Sequence, residues 1–239
     1  MPSSQKTIHL AETRGHADHG WLKSHHTFSF ADYHDPSRMN FGTLRVLNDD
    51  VILGGSGFGT HPHRDMEIIS IPIGGALAHK DSVGNSGGIR HGEVQVMSAG
   101  TGIAHSEFNG SETEEAKLLQ IWVMPKKIGV TPRYDQKKFE MNERNNEFQL
   151  VVSPDGREGS LSINQDAFFS LANLQEDRTL SYKRRKDGNG LYVFLIDGEI
   201  EVAGEDMRKR DGIGLRDINE VTIKAKADSE ILVIEVPMA

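Results

Sequence analysis

Residues 55–109 read GSGFGTHPHRDMEIISIPIGGALAHKDSVGNSGGIRHGEVQVMSAGTGIAHSEFN, and this stretch decides the fold of the chain. It contains two pairs of metal-binding side chains, His61 with His63 and His105 with Glu107, and the members of each pair are two residues apart. Residues two apart point to the same face of a β-strand, whereas a helix would splay them. The spacing therefore predicts two neighbouring strands that aim three imidazoles and one carboxylate at one point.

The predicted ligand set favours a transition metal. Imidazole nitrogens with one carboxylate oxygen suit iron, copper, nickel, zinc or manganese, whereas calcium and magnesium prefer mostly oxygen ligands. Four protein ligands leave one or two positions open on a five- or six-coordinate metal, which is typical of a catalytic site. The alternative is that the two pairs fell at this spacing by chance. The chain has no cysteine, which excludes disulfides and thiolate ligands.

Composition and charge limit the fold class, the binding partners and the location that we expect for the protein. The chain has 239 residues, enough for one large or two ordinary domains, and its 25 glycines favour an all-β fold with many turns. A formal net charge of −8 argues against broad binding to nucleic acid or to anionic membranes. Residues 1–8 carry no apolar signal segment, and no apolar run approaches the roughly 20 residues of a membrane span. We expect a cytoplasmic protein.

Turn chemistry and charge indicate how the chain is divided. Asn48 to Asp50 is predicted to be a turn, because these residue types are common in turns, and residues 82–92 are predicted to be a loop. Residues 125–147 lose the alternation of apolar and polar residues and become charged, which indicates an exposed crossover between domains. The alternative is an amphipathic helix, which Asn145 and Asn146 disfavour. His79 stands alone on its predicted strand and is interpreted as a structural group, with a position facing the site as the alternative.

The second half of the chain repeats the pattern of short strands and turns. Residues 148–239 therefore predict a second β-barrel, and this half contains no histidine. We expect a metal-binding domain over residues 1–145 and a domain without metal ligands over residues 146–239.

A histidine-rich tract precedes the ligand region. Residues 9–34 hold six of the eleven histidines at irregular spacings, which we interpret as structural rather than metal-binding. Three aromatic residues of this tract, Trp21, Phe28 and Phe30, are predicted to pack in the core rather than to line a ligand pocket.

The ligand region resembles the cupin superfamily. The chain matches the first cupin motif at every fixed position, namely Gly55, His61, His63, Glu67 and Gly74. It is similar to the second motif, but Ser98 stands where proline is usual, and two extra residues separate Gly100 from His105. Both departures resemble the pirin branch, as do GTHPHRDMEI (59–68) and SAGTGIAHSEFN (98–109). The resemblance, strong over most of residues 8–140, implies a bacterial pirin-like bicupin with two consecutive β-barrel (double-stranded β-helix) domains.

The identity of the carboxylate ligand has two candidates. In many cupins the glutamate of the first motif binds the metal, which would select Glu67, and Glu67 shares strand parity with His61 and His63. The pirin resemblance instead implies His61, His63, His105 and Glu107. We favour Glu107, because it is paired with His105 in the geometry of the first pair, and Glu67 is then a supporting residue.

The resemblance also implies an activity. Pirin-like enzymes of this kind open the flavonol ring of quercetin with O2 and release carbon monoxide. Glu107 is predicted both to bind the metal and to act as the general base. Fe(II) is the expected metal, although Ni, Mn, Cu or Zn also fit the ligands. Phe58 and aromatic residues of the N-terminal tract are predicted to line the flavonol slot.

The resemblance leaves other functions open. One alternative is a metal-dependent regulatory protein that binds a transcription factor or a metabolic enzyme. A weaker one is a cupin isomerase or sugar-binding enzyme. Pirin-like proteins are often monomers, so a monomer is expected here.

Overall fold

The computed structural model describes residues 6–238 as twenty-two β-strands and three short 3-10 helices. The prediction of an all-β fold is confirmed. The prediction about residues 1–8 falls mostly on residues 1–5, which lie outside the described residues. Within residues 6–238, no helix has the length and apolar character needed to cross a membrane.

The first half of the chain forms twelve strands. They are β1 (Lys6–His9), β2 (Gly15–Asp18), β3 (Leu22–His26), β4 (Leu44–Ile52), β5 (Gly57–His63), β6 (Glu67–Gly74), β7 (Ala76–Asp81), β8 (Ser86–Arg90), β9 (Glu93–Ser98), β10 (Ile103–Asn109), β11 (Ala116–Val123) and β12 (Arg133–Lys138).

The second half adds ten strands. They are β13 (Gln149–Ser153), β14 (Leu161–Ser162), β15 (Phe168–Leu174), β16 (Thr179–Lys183), β17 (Asn189–Asp197), β18 (Glu199–Val202), β19 (Glu205–Arg208), β20 (Gly212–Leu215), β21 (Glu220–Ala225) and β22 (Ser229–Pro237). The 3-10 helices are Ala11–Thr13, Met141–Arg144 and Arg157–Gly159.

Each half of the molecule pairs a seven-stranded sheet with a four-stranded sheet. In the first half the large sheet has the order β12-β9-β6-β11-β4-β3-β2, and the small sheet has the order β5-β10-β7-β8. In the second half the orders are β1-β20-β17-β22-β15-β13-β14 and β16-β21-β18-β19. The first strand therefore belongs to the sheet of the second half, where Lys6 lies opposite Leu215 and His9 lies opposite Gly212.

The two large sheets pack against each other through one continuous core. Leu47 and Ile121 of the first half join Phe169 and Ile234 of the second half in a single buried apolar cluster. Burial of such side chains contributes on the order of 2 kcal/mol each, so this core holds the two halves together. The opposite face of the first large sheet is directed at the small sheet, and the candidate site lies between them.

Three predictions about turns and loops were wrong. Asn48 to Asp50 lie inside β4, which is hydrogen-bonded to β3 on one side and β11 on the other. Residues 82–92 contain β8, which pairs with β7. The charged stretch 125–147 contains β12, which pairs with β9 at the edge of the large sheet. In each case neighbouring strands satisfy the backbone, and this pairing overrides the turn preference of the side chains.

Candidate metal centre

Strand pairing brings three histidines together on one face of the small sheet. β5 runs antiparallel to β10, with His61 opposite His105 and His63 opposite Ile103. One ring nitrogen from each of the three imidazoles lies within 4.8 Å of the others. Nε2 of His63 lies 3.0 Å from Nε2 of His105. Three imidazole nitrogens that converge in this way form a candidate metal-binding cluster, which we call the histidine cluster.

A glycine makes this close pairing of β5 and β10 possible. A Cβ at Gly57 would lie 2.4 Å from both the Glu107 carbonyl oxygen and the Phe108 Cα. Only glycine allows the two backbones to approach so closely. The same approach places the ligand ends of both strands side by side.

A hydrogen bond and burial determine the ring orientation and the pKa values of the clustered histidines. Nδ1 of His61 donates a hydrogen bond to the Gly59 carbonyl at 2.8 Å, which fixes the orientation of the ring and assigns Nε2 as the nitrogen that would bind a metal. Burial lowers the pKa of His63 to about 4 and that of His105 to about 3, and the neighbouring imidazoles act in the same direction. Both rings are therefore neutral at pH 7, which is the form that binds metals.

Glu107 lies beside His105, two residues further along β10. It is 2% exposed and forms a second cluster with His79 and His105, whose ligand atoms also lie within 4.8 Å of one another. Ser70 Oγ of the large sheet lies 3.5 Å from Glu107 Oε1. Burial raises the pKa of Glu107 to about 7, although hydrogen bonds with Gln95 and Ser70 oppose the shift.

Glu67, the other candidate carboxylate, lies on the far side of the large sheet. It shares a face of β6 with Ile69 and Ile71, which pack in the core between the two halves. Ser98 Oγ donates to Glu67 Oε2 at 2.6 Å, and burial raises the pKa of Glu67. The structure therefore does not bring Glu67 to the histidines, because a turn between β5 and β6 interrupts the alternation on which the shared parity rested.

His79 and Asp81 adjoin the cluster; the sequence offered His79 only as the less favoured alternative to a structural group, and Asp81 was not recognised. His79 Nδ1 lies 3.4 Å from His105 Nδ1, and His79 Nε2 lies 3.4 Å from Asp81 Oδ2. The His79 ring stacks on Tyr134 with centroids 4.4 Å apart. Because His79 and Asp81 have the same i, i+2 spacing as the ligand pairs, that spacing is the signal that would have identified them.

A cavity of about 370 Å³ opens on His61 and His63. This volume is typical of small-molecule sites. Its apolar wall consists of Trp21, Leu22, Phe30, Phe58 and Trp122. Its polar lining consists of His19, Ser24, His26, Asn48, Asp50 and Gln120. The aromatic rings give the cavity flat walls that suit a planar ligand.

The prediction that the N-terminal aromatic residues pack in the core was right for one of the three. Phe28 is buried in the core between the halves, as predicted, but Trp21 and Phe30 line the cavity. Trp21 packs edge-on against Phe58 at 5.1 Å, and Phe30 packs edge-on against Trp122 at 5.3 Å. Each of these four aromatic residues is therefore held by a second aromatic ring from another part of the first half.

The histidine-rich tract has several structural uses. His9 is buried, and its Nδ1 lies 2.8 Å from the Tyr192 hydroxyl of the second half. His16 and His25 face each other across the β2–β3 pair with ring centroids 4.9 Å apart. His26 lines the cavity and hydrogen-bonds with Asn48. In the part of the chain that the structure describes, none of the six takes part in a cluster of three metal-type ligands.

Comparisons with known proteins identify the family. The Pirin family matches residues 7–123, and the quercetinase C-terminal cupin domain matches residues 150–236. A quercetin 2,3-dioxygenase of Escherichia coli (strain K12) is 46% identical to the chain, covering 96% of this chain and 98% of the relative. The chain belongs to the pirin family. A pirin-like protein of Caulobacter vibrioides is 43% identical and covers 92% of this pirin and 95% of its own length.

Solved structures of relatives share the whole architecture of this pirin. The crystal structure of YhhW from Escherichia coli superposes with a TM-score of 0.94 at 44% identity, covering 98% of this chain and 99% of that one. A second structure of YhhW, a complex with nickel(II), superposes with a TM-score of 0.93 at 44% identity and covers 98% of this pirin and 100% of YhhW. The bicupin prediction is therefore confirmed. This pirin is an enzyme similar to the relatives named quercetin 2,3-dioxygenase, and its clustered histidines could hold a divalent metal.

Proposed function

We propose that this pirin cleaves quercetin or a similar flavonol with O2 and releases carbon monoxide. The observation that carries the proposal is the cavity with aromatic walls that opens directly on His61 and His63. A flavonol is flat, aromatic and small enough for a space of this size. The quercetin 2,3-dioxygenase of Escherichia coli, as a close relative over its full length, supports the same substrate class.

The ligand set that we propose is His61, His63 and His105 with Glu107 as the carboxylate. The donor set fits the group, because neutral imidazoles and a single carboxylate suit an open transition-metal site. When bound, the metal supplies Lewis-acid and redox chemistry for the reaction with O2. Fe(II) is the metal we propose, and nickel is the ion bound in the YhhW complex.

The protein's own groups bind, orient and deprotonate the substrate. The rings of Trp21, Phe58 and Trp122 hold the flavonol plane and exclude water from the cluster. Glu107 accepts the proton of the flavonol 3-hydroxyl, which makes the ring electron-rich enough to react with O2. In the balance of the reaction, both carbon–carbon bonds of the hydroxyl-bearing carbon break, and that carbon leaves with its own oxygen as carbon monoxide. The two atoms of O2 remain on the ring-opened ester, so no further reductant is required.

The test is oxygen uptake with quercetin by protein that has been stripped and reloaded with ferrous iron. His61→Ala is reloaded in parallel, and His34→Ala, an exposed histidine outside the cavity, is the matched control. We expect uptake with carbon monoxide release by wild type and the control, and none by His61→Ala. Absence of uptake in fully loaded wild type would overturn the proposal and favour a regulatory protein that binds a partner.

Other features of this pirin stay predictions. These are its monomeric state, its cytoplasmic location, a possible protein partner and the boundary between the two domains near residue 145.

A further inference from the structure

Four buried polar side chains form part of the cavity wall on the large sheet. Ser24 and His26 lie on β3, and Asn48 and Asp50 lie on the neighbouring β4, with Ser24 opposite Asp50 and His26 opposite Asn48. All four line the cavity that opens on the histidine cluster, and none is more than 3% exposed. We call this set the polar ladder.

In the polar ladder, each of the two pairs of opposite residues is joined by a hydrogen bond. Ser24 Oγ donates to Asp50 Oδ1, and His26 Nδ1 donates to Asn48 Oδ1 at 2.9 Å. Ser24 Oγ and His26 Nδ1 are 3.3 Å apart, so the two hydrogen-bonded pairs are also in contact with each other. These contacts hold the side chains in fixed positions before any ligand arrives.

Burying these groups gains less free energy than burying apolar residues would, even though the groups are hydrogen-bonded to one another. The next inward-facing residue of β4, Ile52, packs in an apolar cluster with Leu77 and Ile89 of the small sheet. The same face of the sheet is therefore able to fill its interior with apolar side chains. Polar groups at Asn48 and Asp50 cost desolvation free energy that apolar residues would avoid.

One carboxyl oxygen of Asp50, Oδ2, is available to a ligand. Within residues 6–238, the hydrogen bond from Ser24 to Oδ1 is the side-chain contact of this carboxyl, and Oδ2 has no donor. Burial raises the pKa of Asp50 to about 7, and the nearby Asp49 and Glu107 act in the same direction. A phenolic hydroxyl suits such an acceptor, because it donates a hydrogen bond and adds no charge to the buried site.

We propose that the polar ladder is the subsite for a phenolic hydroxyl of the substrate other than the one that Glu107 deprotonates, with Asp50 Oδ2 accepting its hydrogen bond. This inference rests on the proposed function, because it takes the cavity as the flavonol site. The ladder thereby selects planar aromatic ligands that carry a second hydroxyl within reach of Asp50, and this contact fixes their direction in the cavity.

The chain contains its own reporter for this experiment. Its two tryptophans, Trp21 and Trp122, both line the cavity, so a bound flavonol quenches the tryptophan fluorescence. Dissociation constants are measured on the metal-loaded protein without O2, so that no turnover is needed. The ligands are quercetin, a flavonol without the ring-B hydroxyls and a flavonol without the ring-A hydroxyls.

The variants are Asp50→Asn and Asp135→Asn, the latter an exposed acid on β12 away from the cavity. We expect Asp50→Asn to weaken quercetin binding about tenfold, because a hydrogen bond to a carboxylate is lost. The same change should have no effect on whichever analogue lacks the anchored hydroxyl, and Asp135→Asn should bind all three ligands as wild type does. Equal affinity of Asp50→Asn and wild type for all three ligands, or an equal loss for all three, would overturn the subsite.

Thermal unfolding of each variant checks that it is folded, and Ser24→Ala serves as a second variant if Asp50→Asn is not. Ser24→Ala removes the contact that orients the carboxyl, so it should weaken the binding of quercetin in the same ligand-selective way.

The experiment distinguishes failure of the subsite from failure of the dioxygenase activity. Tight, Asp50-dependent binding without oxygen uptake would reject the dioxygenase and keep the subsite. Turnover with binding that does not depend on Asp50 would reject the subsite alone.

Discussion

At the scale of single residues, the two candidate carboxylates differ in where the backbone places them. Glu107 lies beside His105 and His79, whereas Glu67 is buried on the opposite face of the large sheet. Both carboxyls are buried and both have a raised pKa, so burial alone does not distinguish them. Their positions relative to the histidines make Glu107 the candidate for ligand and base.

Glu107→Gln tests this assignment. The amide keeps an oxygen near the cluster but no longer accepts a proton, so we expect turnover per bound iron to fall by on the order of 100-fold or more. Metal content by atomic absorption and oxygen uptake are measured on the same samples. Glu67→Gln is the matched control and should keep full turnover per iron. Full turnover by metal-loaded Glu107→Gln would remove the role as base.

At the scale of elements, the pairing of β5 with β10 builds the histidine cluster. The two strands meet at the close approach of Gly57 to Phe108, and the register then sets His61 opposite His105. A change that spreads the strands at Gly57 moves the imidazoles without altering any of them. The site is therefore sensitive to backbone packing in the small sheet.

Gly57→Ala should test this dependence. The added methyl group must displace backbone atoms of Glu107 and Phe108, so we expect a loss of about 1–3 kcal/mol in the free energy of unfolding, together with weaker metal binding. Gly59→Ala is the control on the same strand, because a Cβ there has no neighbour within 4 Å. Urea unfolding and metal titration measure both effects. Equal behaviour of the two variants would contradict the argument.

At the scale of the whole molecule, the N-terminal strand links the two halves. β1 extends the large sheet of the second half, and β2 begins six residues later at the edge of the large sheet of the first half. His9, the last residue of β1, packs between Phe28 of the first half and Tyr192 of the second. Its protonation state therefore affects the interface that holds the halves together.

His9 should make the protein sensitive to acid. Burial lowers its pKa from 6.5 to about 4, so the unfolded chain binds a proton more readily than the folded one. The contribution to stability is complete above pH 6.5 and is lost as the pH falls from 6.5 towards 4, by roughly 3 kcal/mol in total. His9→Gln should flatten the acid side of the curve in urea unfolding, whereas His34→Gln should not. Parallel curves for wild type and His9→Gln would contradict the linkage.

The features that were predictable from sequence are those that depend on local alternation. His61 with His63, and His105 with Glu107, had to share a strand face, because side chains on a strand repeat every two residues whatever the strand packs against. The same reasoning failed for Glu67, because the turn at Asp65, whose φ is +46°, separates it from the strand of His61 and His63. Periodicity holds within an element and carries no information across a turn.

The sequence by itself determined the all-β class and the pairing of metal-type side chains, because both follow from strand periodicity and glycine content. Only the tertiary structure decided what surrounds the metal centre. Asn48 and Asp50 have the composition of a turn, yet β3 and β11 satisfy their backbone and the cavity receives their side chains. His79 likewise reaches His105 from a different strand. Such contacts join residues far apart in the chain, and their geometry arises only when the sheets pack.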